Sequence, residues 1–225
     1  MKTTAKVVAL LVAAGCSGDR GLRTLTNDKP IIVAPLYVDS NGNAIGAQTP
    51  DSMVIDKVAG ATHVPVTAPD GHAVTWGEFR SATGVAQITC EPGGTHVHVT
   101  LSHLIPNGVY TGWLVFFAPP GFKMAMFDAM TGVAPVGLPD GSESRVVADA
   151  QGNATLDAVT PAGTTTVTLP GKSQAIPACL LDAYEVHVVA AYHIDGRTCG
   201  ATQCDGDKLA EQIGWMVFGG QVQTF

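Results

Sequence analysis

His96-Val97-His98-Val99-Thr100-Leu101-Ser102 alternates strictly. Successive side chains of a strand point to opposite faces, so Val97, Val99 and Leu101 share one side while His96, His98, Thr100 and Ser102 share the other. One apolar face and one polar face describe a strand that covers a core on one side only. The stretch 184–193 repeats the pattern: Tyr184, Val186, Val188, Ala190 and Tyr192 lie on one face, and Glu185, His187, Val189, Ala191 and His193 on the other. Further β-rich runs occur at 31–38, 63–67, 86–90, 110–117, 145–148, 154–159, 164–169 and 215–218. Between them stand Ser40-Asn41-Gly42-Asn43, Glu91-Pro92-Gly93-Gly94, Pro139-Asp140-Gly141-Ser142 and Gln151-Gly152-Asn153, which supply the residues that tight turns require. Many short strands at such spacing predict an all-β sandwich. Short helical insertions are expected at 53–59, 123–130 and 207–213, and 119–139, rich in Gly, Ala, Met and Pro, reads as a long crossover loop.

The composition agrees with one folded domain. The chain has 225 residues, of which 46% are apolar and only 14% charged, enough to build a core and too apolar for disorder throughout. Twelve Lys and Arg face nineteen Asp and Glu, for a formal charge of −7 without any basic run. Nucleic-acid binding has no electrostatic footprint here.

Residues 1–15 give an address. Lys2 and Lys6 precede the apolar run Val7 to Ala14, which is far short of the roughly twenty residues a membrane span needs. Such a segment reads as an export signal. Ala13-Ala14-Gly15-Cys16 resembles the lipobox of bacterial lipoproteins, which implies that Cys16 is acylated and becomes the first mature residue. Ala13 stands where that box usually has Leu, and Val12-Ala13-Ala14 also reads as an ordinary small-x-small cleavage site. The expected organisation is a signal peptide at 1–15, a lipidated flexible tether at 16–28 and one β-sandwich domain at 29–225. The polar Ser17 to Asp28, with Gly18 and Gly21, suits a tether.

Cys90, Cys179, Cys199 and Cys204 remain, an even number in an exported and oxidising compartment. Four cysteines allow three pairings. Only Gly-Ala-Thr-Gln separates Cys199 from Cys204, which favours that small loop and leaves Cys90 with Cys179. A four-thiolate zinc site is disfavoured, because no C-x-x-C pair is present.

Leu104-Ile105-Pro106-Asn107-Gly108-Val109-Tyr110 resembles the L-x-P-x-x-x-Y corner of fibronectin-type and other immunoglobulin-like sandwiches. The resemblance implies an immunoglobulin-like fold in which the Tyr110 hydroxyl bonds back to the backbone of the connection. More widely, Val74-Thr75-Trp76-Gly77-Glu78-Phe79, Gly94-Thr95-His96-Val97, Pro120-Gly121-Phe122, Ala148-Asp149-Ala150-Gln151-Gly152-Asn153-Ala154 and Tyr192-His193-Ile194-Asp195-Gly196 resemble blocks of uncharacterised exported bacterial proteins and lipoproteins. That likeness implies secretion, a membrane contact through the N-terminal lipid, and a cysteine pair like Cys90 with Cys179. It brings no catalytic residues.

For chemistry, His96 and His98 place two imidazoles side by side, as in copper and zinc sites on β-sandwiches, including the copper-zinc superoxide dismutases. The bridging histidine and zinc-ligand spacing of those enzymes are missing. His187, His193, Glu185 or His103 would have to complete the set, with Met124, Met126 and Met130 as soft ligands for copper. The plainer reading is polar side chains on the wet side of a strand and methionines filling gaps in the core. Asp39-Ser40-Asn41-Gly42-Asn43 and Asp205-Gly206-Asp207 do not complete calcium loops, the first having Pro50 where a bidentate glutamate is required. No nucleophile elbow, zinc-protease helix or phosphate loop is present in the sequence. The expectation is a lipid-anchored envelope protein that acts as a binding or structural module for an envelope or extracellular partner. Copper or zinc binding is the alternative.

Overall fold

The computed structural model describes residues 23–32, 37–39, 41–46, 49–56, 64–117, 130–163, 179–200 and 209–218. Its strands are β1 (Thr24–Asn27), β2 (Ile31–Ile32), β3 (Tyr37–Val38), β4 (Ile55–Asp56), β5 (Val64–Pro65), β6 (Thr83–Glu91), β7 (Gly94–Ser102), β8 (Val109–Phe117), β9 (Met130–Pro135), β10 (Arg145–Val147), β11 (Ala154–Pro161), β12 (Glu185–His193) and β13 (Leu209–Phe218). Two helices of four residues, α1 (Trp76–Phe79) and α2 (Leu180–Ala183), interrupt them. The protein is therefore all-β. One sheet runs β1-β6-β7-β11, a second runs β10-β8-β12-β13-β2 with β9 also on β8, and β3-β4-β5 form a small third.

Alternation decides how the two large sheets are used. In β7, Val97, Val99 and Leu101 are buried while His96 and His98 are half-buried on the other side. Val97 lies opposite Ile88 of β6 and Ala158 of β11, and Val99 opposite Ala86 and Leu156, so the inward rows coincide across three strands. From the second sheet, Tyr110, Leu114 and Phe116 of β8 and Val186, Val188, Ala190 and Tyr192 of β12 enter the same core cluster. The two layers meet closely at Gly112, where an added Cβ would sit 2.1 Å from Leu156 Cδ2. A disulfide joins Cys90, near the end of β6, to Cys179, just before α2, with 5.2 Å between the Cα atoms. Cys199 is also disulfide-bonded, and Cys204 lies outside the described residues.

The β7–β8 connection is pinned from within. The Ile105 N–H donates to the buried Tyr110 hydroxyl oxygen at 2.9 Å, and the Tyr110 ring packs against Tyr192 with centroids 5.3 Å apart. Burial pushes the Tyr110 hydroxyl well above its usual range. The turn that follows β10 is built by Asp149, whose carboxylate accepts from the Gln151 and Asn153 N–H groups at 2.9 and 2.8 Å. Gly152 supplies the positive φ of 77° at its centre.

Several expectations need correction. The segment 53–59 is not helical where it is described: Ile55–Asp56 is a strand, and 57–59 lie outside the described residues. Of 207–213, the described residues 209–213 belong to β13, which pairs on one edge with β12 and on the other with β2. The crossover loop contains β9, and the tether contains β1, which pairs with β6 from Thr24↔Thr89 to Asn27↔Ala86. The helix expected at 123–130 lies outside the described residues except for Met130, which begins β9, and the helices among the described residues are at 76–79 and 180–183. For α1 the Thr75 hydroxyl caps the Glu78 N–H at 3.3 Å while Trp76 and Phe79 are buried. Residues 1–22, with the signal and Cys16, lie outside the described residues, as do Met124, Met126 and 164–169. Among the described residues no helix is long and apolar enough to cross a membrane.

Candidate functional site

The outer face of the β1-β6-β7-β11 sheet carries a chain of titratable groups. Asp157 of β11 stands directly opposite His98 of β7, and the register places it diagonally from His96. Its Oδ2 accepts from His98 Nδ1 at 3.1 Å, and its Oδ1 bonds His96 Nε2. The other ring nitrogen of His96, Nδ1, meets Glu91 Oε1 of β6 at 3.2 Å. An imidazole with a carboxylate on both nitrogens needs both protons, so the geometry favours the cation. Accordingly the Asp157 hydrogen bond, and more weakly the charges of Asp157 and Glu91, raise the His96 pKa against the opposing effect of burial. Hydrogen bonds from His96 and His98 lower that of Asp157.

The second sheet's outer face behaves differently because it is covered. All nine residues of β12 are buried. Glu185 and His187 form a buried pair, with His187 Nε2 at 2.9 Å from Glu185 Oε1 and the imidazole 4.5 Å from the Phe117 ring. Burial lowers the His187 pKa, and the Glu185 bond opposes it. At the other end of β12, His193 Nε2 shares a 2.8 Å hydrogen bond with Thr111 Oγ1, which also accepts from Trp113 Nε1 at 2.8 Å.

These positions decide which predicted ligands meet. His96 and His98 come together, but on the sheet that His187 and His193 do not belong to. His187 and His193 are six residues apart on one strand, roughly 20 Å at about 3.3 Å per residue. His103 is held by Thr83 Oγ1 at 3.2 Å, beyond the end of β7. Among the described residues no group of three or more His, Cys, Asp or Glu side chains is placed to hold a metal ion. His96 and His98 direct their nitrogens onto a carboxylate that lies between them. Asp157 and Glu91 were missed because nothing local marks them; only the pairing of β11 and β6 with β7 gives them a role.

A pocket of about 280 Å³ opens at the end of the second sheet, where Asn107 of the β7–β8 connection, Tyr192 and His193 of β12, Asp195 of the following turn and Ala68 with Pro69 converge. Tyr192 donates its hydroxyl to the Thr67 carbonyl at 2.6 Å, and its pKa is pushed up to about 12 by burial, then by Glu78 and Asp70. For Asp195 burial opposes ionisation, yet the bonds from the Arg197 Nε–H (2.8 Å) and backbone N–H (3.1 Å) outweigh it and hold the pKa low. Three separate connections thus line one concavity with both apolar and polar groups. Comparisons with protein-family models, curated proteins and solved structures return no match to this chain.

Proposed function

We propose that the chain is a lipid-anchored protein of the bacterial cell envelope, held by Cys16, whose immunoglobulin-like sandwich works as a binding module through the loops at one end. The Cys90–Cys179 bridge carries this reading, since such a bond forms and persists in an oxidising compartment, the destination implied by Lys2, Lys6 and the apolar run before Cys16. The sheet orders and the tyrosine-pinned connection support the immunoglobulin-like assignment. The pocket between the β7–β8 and β12–β13 connections supports the loops as the place of contact, because loops set on a rigid sandwich carry recognition in such folds. The likeness to exported lipoproteins points the same way.

The test is fractionation of cells that express the wild-type chain or Cys16→Ser, after labelling with a fatty-acid analogue. We expect the wild type to take up label and sediment with membranes, and the variant to be unlabelled and released. Equal membrane association of an unlabelled wild type and the variant would refute the anchor.

A further inference from the structure

His72 sits outside everything assigned so far, and its surroundings are specific. It closes the turn between Val66 and Val74, both fully buried, in which Ala68 N–H donates to the His72 carbonyl and Gly71 N–H to the Ala68 carbonyl, each at 2.9 Å. The imidazole is bonded at both nitrogens. Nδ1 lies 2.6 Å from Asp70 Oδ1, at the tip of the same turn, and Nε2 lies 3.1 and 3.2 Å from the two oxygens of Glu78 on α1. At the root of the turn, Ala68 and Pro69 form one wall of the pocket.

We propose that His72 is an acid-closed clasp: protonated, it ties the 68–72 turn to α1, and on losing its proton it releases the turn that walls the pocket. A neutral imidazole has one N–H and one lone pair, so one of the two carboxylates would then face a lone pair. The electrostatics agree, because the Glu78 hydrogen bond, followed by that of Asp70, raises the His72 pKa, and the His72 backbone N–H, followed by its ring, lowers that of Asp70. The other groups near the cluster are Tyr192 on β12, which feels both carboxylates, and, on the α1 side, Asp51, which accepts from Gly77 N–H at 2.7 Å and feels Arg80. With the His pKa raised, the clasp is complete below the ordinary value of about 6.5 and opens as pH rises through the higher folded value. With the Asp70 pKa lowered, it holds above about 3.8 and fails as pH falls further. This goes beyond envelope anchoring and does not depend on it.

The experiment follows the His72 imidazole by NMR through a pH titration of the full chain, wild type against Glu78→Gln, with amide exchange at Ala68 and Gly71 corrected for the intrinsic rate. We expect a midpoint above 6.5 that drops toward it in Glu78→Gln, and amide protection that falls as His72 titrates. Thermal unfolding of His72→Gln should lie about 1–3 °C below wild type at pH 5.5 and coincide with it at pH 9. An ordinary midpoint unchanged by Glu78→Gln, or a thermal gap equal at both pH values, overturns the clasp.

Discussion

Tyr110 is the residue on which the β7–β8 connection turns, since its hydroxyl gives the buried Ile105 N–H its partner. Tyr110→Phe removes that acceptor and leaves the donor stranded, so we expect a loss of about 1–3 kcal/mol, read from the shift of the urea midpoint at unchanged slope. Gly112→Ala forces a methyl against Leu156 across the core and should cost a similar amount, about 1–3 kcal/mol, through overpacking. The histidines separate by environment. For His96, raised by Asp157, and Asp157, lowered by His96, the advantage of wild type over Asp157→Asn is complete between about pH 4 and 6.5. It shrinks as pH rises through the His96 midpoint or falls through that of Asp157, and urea unfolding across pH reads it directly. His187 has the opposite sign: its pKa is lowered, so the unfolded chain binds the proton better and stability declines as pH falls below about 6.5.

At the scale of elements, the legible parts were those whose pattern is local. A period of two in 96–102 and 184–193 marks β7 and β12 and assigns their core faces, because pleating decides which residues look inward, but it did not reveal that the outer face of β12, with Glu185, His187 and His193, is buried as well. The tyrosine corner is equally local. Thr75 and Glu78, three positions apart, carry the capping signal that locates α1, which the sequence reading did not use. Illegible parts depend on partners distant in sequence. Within Leu209–Phe218 the run 215–218 reads as a strand, but 209–214 includes Ala, Glu and Gly, which do not favour strands, and pairing with β12 and β2 makes it one. Thr24–Asn27 reads as tether until β6 is beside it. Asp157 is one exposed carboxylate on an edge strand until the register sets it against two histidines. The Cys90–Cys179 bridge spans 89 residues and joins β6 to the approach of β12. We expect Cys90→Ser with Cys179→Ser to lose about 2–5 kcal/mol in thermal or urea unfolding, because the long loop it closes is set free in the unfolded chain.

For the whole molecule, two sheets share one core, a disulfide ties them, and a pocket lies at the loop end. That arrangement suits the proposed module, in which a lipid on Cys16 would hold the domain at a surface with its loops free. The most direct measurement of this proposal is the intact mass of the protein recovered from the membrane fraction of cells that express it. The account expects a chain beginning at an acylated Cys16 and lacking four hydrogens for two disulfides. A chain that retains Met1, or one that begins beyond Cys16 without lipid, would contradict it.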